Sequence, residues 1–596
     1  MNSVERNQAI GLVLISAMLI AYFTFFSDLG KTETPSIKKE SKSVQNIPQS
    51  EEQQKIDTLA LKKALGDFST LGTGKEQTNV LENDLIKVTL SSKGAQVQSV
   101  ILKKFQSYKK QNLELVSTST NQYTLTANTK NGFVRLSDLY ANEILKSDTS
   151  ITYSFKLSDN QYFNQTFSIR PKTYELNCRI YSVGLDQLLT DSKLTYSYVY
   201  NAPLIEKDLA SSRQTANVTY RLMDGTFKSL SETSTDPQEQ NIETKANWVT
   251  LKQKFFSIGL ISQSGFVSGK VSSKIDPTDT NIVKTLSATL VYPLDGGKGN
   301  LTYYFGPNKL NIVNKVAPDF VENVYLGWPV INTINRYTIA PLFEFLEKLN
   351  INYGLIIILM VLIIKLVLFP LSYNAYHSMA KIKVLKPEMD EIKARVGDDM
   401  GAMQQEQMKL YNQVGVNPLS GCIPVLLQMP VLLAMFNFFP NAIELRQQPF
   451  LWAEDLSTYD SIATLPFKIP FYGDHVSMFA LLMTASTILY TWYNSQMNVS
   501  VTGPMMAMQY IMPLIFMFIL NSMPAGLSFY YFVSNMVTIG QQFIIKLFVD
   551  EGAIRAKLDE NKKNQGTKKP NRFQQRLMSA MEQQQELKKK QANSKK

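Results

Sequence analysis

Five apolar runs in the C-terminal half of the chain constrain its fold more than any other feature. They lie at about 353–372, 417–439, 476–497, 505–522 and 524–547. A helix needs roughly 20 apolar residues to cross a hydrocarbon core of about 30 Å. The runs therefore predict five membrane-spanning helices in a core at 351–548, with a tight turn at NSMP between the last two.

A sixth apolar run, at residues 9–26, follows a short segment that carries Arg6. Such a run is either a cleaved signal peptide or an uncleaved signal anchor. It is long for a signal peptide, and no small-x-small cleavage pattern follows it, so we expect a transmembrane anchor at 1–30. Residues 31–75 are mostly polar and charged, which predicts a linker.

After the linker, the hydrophobic period changes to two. Segments such as ITYSFKLSDNQYFNQTFSIRP alternate apolar and polar residues, and the region is rich in Thr, Val, Tyr and Phe. This pattern is typical of antiparallel strands separated by turns. We therefore expect one large antiparallel β-sandwich at 76–318, which lies in one compartment because it is bounded by two spans.

The segment at 319–350 has the pattern of an amphipathic helix. Its aromatic residues Tyr325, Trp328 and Tyr337 suit the interface between a membrane and water. We expect an interfacial helix that precedes the membrane core in the chain.

A charged segment at 374–415 separates the first two of the five runs. Apolar residues recur there at steps of three or four, as expected for a helix face: Met379, Ile382, Leu385, Met389, Ile392 and Val396. The sequence Gly397-Asp398-Asp399 breaks this pattern, and a second helix follows, which predicts a helical hairpin. The hairpin either packs on itself or docks a partner or lipid headgroups, and the sequence favours neither.

Basic residues near the apolar runs predict the orientation. The hairpin segment holds six Lys and Arg, and the tail from Lys546 holds fourteen against six Asp and Glu. The loop at 441–474 holds only two Lys and Arg against five acidic residues. The hairpin and the basic tail at 549–596 are therefore predicted to be cytoplasmic. With six spans, the N-terminus is then predicted to lie inside the cell and the β-sandwich on the outer side of the membrane.

Lys365 lies within the apolar stretch LIIILMVLIIKLVLFPLS, and no run offers an Asp or Glu to pair with it. A lysine at the centre of a span costs about 2.5–3.5 kcal/mol. Such a residue usually faces a bundle interior or a watery cavity. The alternative is that Lys365 snorkels toward lipid headgroups. Pro370 should end or bend the helix near the cytoplasmic face.

Uncharged polar residues occur in or beside the other runs: Gln428, Asn437, Asn494, Gln496, Asn521, Asn535, Gln541 and Gln542. Each alone is typical of hydrogen bonds between membrane helices. Together with Lys365 they predict a hydrophilic pocket that holds water and opens toward the cytoplasm. Eighteen of the 23 methionines lie between 353 and 548, and such flexible side chains suit a surface that accepts varied apolar segments, although most simply fill helices.

The sequence argues against several functional classes. It has two histidines and two cysteines, and it lacks HExxH, CxxC, GxSxG and P-loop patterns, which disfavours metal chemistry and ATP hydrolysis. A small-molecule transporter would show internal repeats, and an odd five-helix core does not divide into halves. Residues 31–376 contain no histidine, which argues against histidine-dependent catalysis in the sandwich but leaves a sugar- or peptide-binding groove open.

Several long stretches resemble a known family: VNPLSGCIPVLLQMP (416–430), SMAKIKVLKPEMDEIKARVGDD (378–399), ELRQQPFLWAEDLS (444–457) and MPAGLSFYYFVSNMVTIGQQ (523–542). They make the chain similar to the YidC family of membrane-protein insertases. The resemblance implies a multi-pass protein of the bacterial inner membrane, with no enzymatic activity and no cofactor. It also implies cytoplasmic termini, a periplasmic β-sandwich and a five-helix insertase core with a cytoplasmic hairpin.

The resemblance further implies a hydrophilic substrate groove that is open to the cytoplasm and to lipid. It would contain the basic residue Lys365 and the polar residue Gln428, to which the polar pattern above adds Asn437, Asn494 and Asn535. Most relatives carry arginine where this chain has Lys365. Lysine keeps the charge but loses the planar fork of a guanidinium group, so charge attraction is the property that carries over.

A greasy slide, along which apolar substrate segments pass, is implied at Val361, Leu432, Tyr530 and Tyr531. Some relatives have a hydroxyl residue where Val361 stands, so the implication is weaker there. The implied function is the insertion, folding and assembly of inner-membrane proteins, alone or with the Sec translocon. The alternative is a Sec-associated membrane chaperone without independent insertion.

The implied partners are nascent membrane proteins, the phospholipid bilayer and the Sec translocon. The basic tail and the hairpin add the ribosome as a candidate partner, since positive charge favours contact with RNA. The alternative for the tail is a disordered segment that only fixes orientation.

Overall fold

The computed structural model describes residues 61–63, 65–130, 132–185, 188–397, 400–416, 423–495 and 504–563. The predicted anchor at 1–30, the linker up to residue 60 and the tail beyond 563 lie outside these residues. The chain divides into two compact units, Met1–Tyr325 with Asn441–Glu444, and Leu326–Pro440 with Leu445–Lys596.

The first unit consists of antiparallel sheets. Its strands are β1 (Thr78–Glu82), β2 (Ile86–Ser91), β3 (Gln96–Gln106), β4 (Asn112–Val116), β5 (Asn121–Thr129), β6 (Gly132–Arg135), β7 (Glu143–Lys146), β8 (Ser150–Ser158), β9 (Gln161–Ile169), β10 (Glu175–Val183), β11 (Leu189–Pro203), β12 (Asn217–Leu222), β13 (Phe227–Ser229), β14 (Gln238–Ile242), β15 (Ala246–Lys252), β16 (Phe256–Phe266), β17 (Ser268–Lys274), β18 (Ile282–Pro293) and β19 (Lys298–Pro307). Its helices are α1 (Leu209–Thr215) and α2 (Leu310–Val313), with 3-10 turns at Gly66–Leu71, Leu136–Asp138 and Phe320–Asn323.

Hydrogen bonds order these strands into a sheet of nine, a sheet of six and a sheet of four. The orders are β13-β12-β15-β16-β19-β10-β9-β8-β7, β14-β17-β18-β11-β5-β6 and β1-β2-β3-β4. Burial alternates along β11, where Tyr196, Tyr198 and Tyr200 are buried at every second position. The Tyr196 hydroxyl lies 3.1 Å from the Tyr303 hydroxyl on the larger sheet, so the two large sheets face each other. The predicted antiparallel β-sandwich is confirmed.

The second unit is mainly helical. Its helices are α3 (Pro329–Ile334), α4 (Ala340–Glu347), α5 (Tyr353–Val367), α6 (Phe369–Val384), α7 (Lys386–Val396), α8 (Met400–Val414), α9 (Ile423–Asn441), α10 (Met478–Ser495), α11 (Pro504–Leu520), α12 (Ala525–Phe548) and α13 (Glu551–Lys563). A π-helical turn (Asn335–Ile339) joins α3 to α4, a 3-10 turn occupies Ile443–Leu445, and β20 (Ala463–Ile469) pairs with β21 (Gly473–Val476).

The interfacial helix predicted at 319–350 is shorter than expected. The continuous helical segment begins only at Pro329, because Gly327 has a φ of +100° and Pro329 occupies a first-turn position. The fully buried Asn335 donates from Nδ2 to the carbonyl oxygens of Leu326 and Ala434, both at 2.9 Å. These bonds tie the segment to α9, while Tyr337 is exposed.

The five predicted apolar runs coincide with α5, α9, α10, α11 and α12, except that α5 ends at Val367. Among the described residues, no single helix combines the length and the hydropathy that a membrane crossing requires. Two bent pairs do so together: α5 with α6, bent by 61°, and α12 with α13, bent by 68°. The first bend falls beside Pro370, as predicted. The number of six spans stays a prediction.

The hairpin at 374–415 consists of the end of α6, α7 and α8. Its first arm is broken at Leu385 because Pro387 starts a new helix. The apolar face predicted there is buried in one cluster with residues of α8 and α13. The cluster includes Ile382, Leu385, Met389, Ile392, Leu410, Tyr411, Val414, Ile554 and Leu558. The last two belong to α13, so the first part of the tail is an ordered helix that packs on the hairpin.

Candidate functional site

Lys365 lies on the buried face of α5, two residues before this helix ends. It is 7% exposed, whereas the neighbouring Leu366 and Val367 are 72% and 71% exposed. Within the described residues, the Lys365 ammonium group has no hydrogen-bond or ion-pair partner. A lysine that snorkels would lie on the exposed face with Leu366. Burial therefore favours a position inside the helical unit.

Helix α12 packs against α5 and carries a polar side chain to the same place. The Gln541 Nε2 donates to the Lys365 carbonyl oxygen at 3.0 Å. This carbonyl belongs to the last turn of α5, where helix carbonyls lack partners within their own helix. Gln541 was expected to be a polar residue of the pocket, and the structure brings it to Lys365.

A second polar cluster lies between α10 and α12. The Asn535 Nδ2 donates to the Ser486 Oγ at 3.1 Å and to the Thr487 Oγ1 at 2.9 Å. Both hydroxyls donate in turn to the Met483 carbonyl oxygen. The two bonds from Asn535 join α12 to α10, the commoner role of such residues, whereas the bonds to Met483 lie within α10. Ser486 and Thr487 were not singled out from the sequence, although the hydroxyl run TAST in an apolar segment was a usable signal.

Two turns further along α12, Gln542 continues this interface. Its Nε2 donates to the Asn494 Oδ1 at 3.1 Å. Its Oε1 is buried and has no hydrogen-bond partner in the described part of the chain. A buried acceptor without a partner is rare in folded proteins and is a place for an ordered water. Asn494 and Asn535 thus share one interface, and Gln542 leaves a polar atom available beside them.

The two polar residues predicted on α9 are both half-buried. The Asn437 Nδ2 donates to the Leu433 carbonyl oxygen of its own helix at 2.8 Å. Gln428 is partly exposed. In the described part of the chain, neither residue is hydrogen-bonded to Lys365 or Asn535, so a single groove that contains all five residues stays a prediction.

The predicted slide residues lie on three helices. Val361 is buried one turn before Lys365 on α5, and Leu432 is half-buried on α9. Tyr530 is buried on α12, where its ring centroid lies 5.4 Å from that of Phe439 and 5.8 Å from that of Tyr531. Tyr530 thus packs against α9, and its role as a path for substrate stays a prediction.

The segment 456–460 holds the N-termini of two helices, a role the sequence did not reveal. The Asp460 Oδ2 accepts from the Met478 and Phe479 backbone nitrogens at 2.9 and 3.1 Å, at the start of α10. At the start of α12, the Ala525 nitrogen donates to the Thr458 carbonyl oxygen at 2.7 Å, and the Gly526 nitrogen donates to the Leu456 carbonyl oxygen at 2.9 Å. A carboxylate at a helix N-terminus is stabilising. This capping segment therefore fixes α10 to α12.

The described residues contain no group of three or more His, Cys, Asp or Glu that could hold a metal ion. What they bring together is a buried positive charge, uncharged polar side chains on α10 and α12, and apolar walls.

Two family models match the chain. The model of the 60Kd inner membrane protein matches residues 345–551, and the model of the YidC periplasmic domain matches residues 79–338. They cover most of the helical unit and the β-sandwich, respectively.

Relatives match along almost the whole chain. The membrane protein insertase YidC of Amoebophilus asiaticus is 44% identical over 97% of this chain and 98% of its own length. That of Cytophaga hutchinsonii is 42% identical over 98% of this chain and 99% of its own length. A solved YidC insertase structure with its first transmembrane domain resolved is 17% identical, covers 78% of this chain and 92% of that chain, and has a TM-score of 0.32, too low to support an inference. On its near-complete match to these relatives, the chain belongs to the YidC family of membrane protein insertases.

Proposed function

We propose that this chain inserts and helps to fold integral inner-membrane proteins by passing them through a hydrophilic, positively charged groove, alone or with the Sec translocon. The observation that carries the proposal is the burial of Lys365 without a partner among the described residues. A charge in this position is costly unless water or a passing anionic group solvates it. The proposal assigns Gln428, Asn437, Asn494 and Asn535 to the polar wall of this groove.

The groove lowers the cost of moving a polar flank across the membrane. A segment must carry its polar residues over about 30 Å of hydrocarbon, and a water-filled half-channel shortens the dry part of that path. The Lys365 ammonium attracts acidic flanks. Burial of the following apolar segment in lipid then stabilises the product by about 0.8 kcal/mol for each buried CH2 group, so insertion requires no nucleotide.

The slide residues Val361, Leu432, Tyr530 and Tyr531 would guide the apolar part of the substrate. Aromatic side chains offer large apolar surfaces with a polar tip, which suits a path between protein and lipid. The capping segment 456–460 joins α10 to α12 at one end, and we expect the groove to be closed at this end, on the outer side of the membrane.

The proposed orientation places the hairpin, α13 and both termini in the cytoplasm and the β-sandwich in the periplasm. The orientation is supported by the six Lys and Arg of the hairpin, against two in the loop at 441–474, and by the excess of basic residues in the tail. The proposal includes the N-terminal anchor at 1–30 and five spans in the core at 351–548. Ribosome contact, if made by the tail, belongs to the basic residues beyond 563, because α13 packs on the hairpin.

Insertion into proteoliposomes tests the proposal. Purified full-length protein is reconstituted without the Sec translocon, and a small membrane protein with an acidic translocated flank is added. We expect protease-protected, membrane-spanning substrate. If protection appears only when the Sec translocon is also reconstituted, the chain acts as a Sec-associated chaperone, and the independent groove is wrong.

A further inference from the structure

Two lysines point into the β-sandwich from opposite sheets. Lys252 ends β15 in the nine-stranded sheet, and Lys284 lies on β18 in the six-stranded sheet. The Lys252 side chain is 7% exposed, and Lys284 is 1% exposed. Lysines are almost never buried to this degree unless they are paired, and a sandwich core does not require them.

Both lysines meet the same loop residue. The Lys252 Nζ donates to the Glu232 Oε1 at 2.8 Å. The Lys284 Nζ donates to the Glu232 carbonyl oxygen at 2.9 Å, its one hydrogen bond within the described residues. The two ammonium groups therefore have one carboxylate oxygen, bound by Lys252, and one neutral carbonyl oxygen, bound by Lys284, as their hydrogen-bond acceptors. Burial lowers the pKa of Lys284 to about 8, the cost expected of a charge with too few partners.

Glu232 belongs to an exposed loop, residues 231–237. Most of the loop is exposed, and its hydrogen bonds outside Glu232 are local: Ser231 N to Gln238 Oε1 at 2.7 Å and Ser234 Oγ to the Asp236 carbonyl oxygen at 3.3 Å. Glu232 therefore holds the loop to both sheets, through its carboxylate and its backbone carbonyl, while its side chain stays 31% exposed.

The loop runs from one sheet of the sandwich to the other at their edges. It connects β13, the edge strand of the larger sheet, to β14, the edge strand of the smaller one. Each edge strand pairs on one side only. Edge strands with free backbone groups accept extended polypeptides as an added strand. An acidic peptide thus has both a charge partner and a backbone partner at this place.

We propose that Lys252 and Lys284 form a binding site for a carboxylate of an extended acidic polypeptide, and that Glu232 occupies this site as an internal ligand until such a segment replaces it. The polypeptide class follows from the edge strands and from the internal ligand, which is itself an acidic segment of polypeptide. The site is separate from the insertase groove, and its test scores no insertion. Failure here therefore leaves the proposed function untouched.

The test measures peptide binding to the full-length protein in nanodiscs at low salt. The probe is the fluorescent octapeptide SETSTDPQ, the sequence of 231–238, and the control probe is SQTSTNPQ. An internal ligand competes at an effective concentration in the millimolar range, so wild-type protein should bind weakly. We expect Glu232→Gln to bind the acidic probe at least tenfold more tightly, and the added change Lys284→Met to abolish that gain.

Equal binding of both probes, or no gain in Glu232→Gln, would overturn the proposal. Displacement of the probe by an equal concentration of inorganic phosphate would also overturn it, because the site would then take any anion. If Glu232→Gln fails to fold, Glu232→Asp replaces it, since the shorter side chain withdraws the carboxylate but keeps its charge. This variant should show a smaller gain in the same direction, and no gain would contradict the proposal.

Discussion

Replacing the buried Lys284 with methionine should stabilise the β-sandwich at neutral pH. Burial, opposed by Glu232 and assisted by Arg213, lowers the pKa of Lys284 from 10.5 to about 8. At about 1.4 kcal/mol per pH unit, the charged form costs roughly 3 kcal/mol of folding free energy. Lys284→Met also removes the hydrogen bond to the Glu232 carbonyl oxygen, worth about 1 kcal/mol. The expected net gain is about 2 kcal/mol at pH 7.

The gain should depend on pH in one direction. Between about pH 8 and 10.5 the unfolded chain holds a proton on Lys284 that the folded chain has lost, so wild-type stability rises with pH in this window. Below about pH 8 both states are protonated and the full cost remains. The advantage of Lys284→Met should therefore shrink, and then reverse, as the pH approaches 10.5.

Denaturant unfolding of the full-length protein provides the measurement. Trp248 is fully buried in the sandwich and serves as the fluorescent reporter once the chain's other three tryptophans are replaced by phenylalanine. Lys274→Met, at an exposed position of the adjacent β17, is the matched control and should leave the stability nearly unchanged. A loss of stability in Lys284→Met at pH 7 would refute the reasoning, because it would show that the charged lysine is a net stabilising group.

Three further predictions concern the helical unit and the tail. Truncation after Asp550 removes α13 and should speed amide hydrogen exchange in α7 and α8. Truncation after Lys563 keeps α13 and should leave their exchange unchanged. Equal exchange rates in the two truncated proteins would show that α13 does not hold the hairpin. Truncation after Lys563 removes the basic residues beyond α13 but keeps the hairpin core intact. It should weaken ribosome co-sedimentation at low salt. Cysteines at Gln428 and Asn535 should react with a water-soluble thiol reagent from the cytoplasmic side, faster at Gln428 because Asn535 is hydrogen-bonded between helices; full protection of both would indicate a dry bundle.

The elements with a clear hydrophobic period were predictable from the sequence. The β-sandwich followed from alternation, as in β11, and the apolar runs gave the positions of α9 to α12. The bend after α5 followed from Pro370, since proline removes a helix hydrogen bond. The interfacial helix was predicted too long, because a short-range pattern did not register the positive φ of Gly327.

The contacts between distant segments were not predictable. Nothing in the tail sequence indicated that Ile554 and Leu558 complete the core of the hairpin, because their spacing of four residues is typical of a helix face but does not identify its partner. The same holds for the bond from Gln541 to the Lys365 carbonyl, which joins residues 176 positions apart. The polar residues in the apolar runs indicated a common hydrophilic pocket, but which residues form hydrogen bonds with each other depends on how the helices pack.

The charge at Lys365 is the central claim, and complementation of an insertase-depleted strain tests it most directly. The strain is scored for insertion of a small substrate with an acidic translocated flank. Lys365→Arg should support insertion as wild type does, Lys365→Ala should lose most of it, and Leu366→Ala, at the exposed neighbouring position, should retain it. Full insertion by Lys365→Ala would contradict the proposal that a buried positive charge in the groove attracts the acidic flank of the substrate.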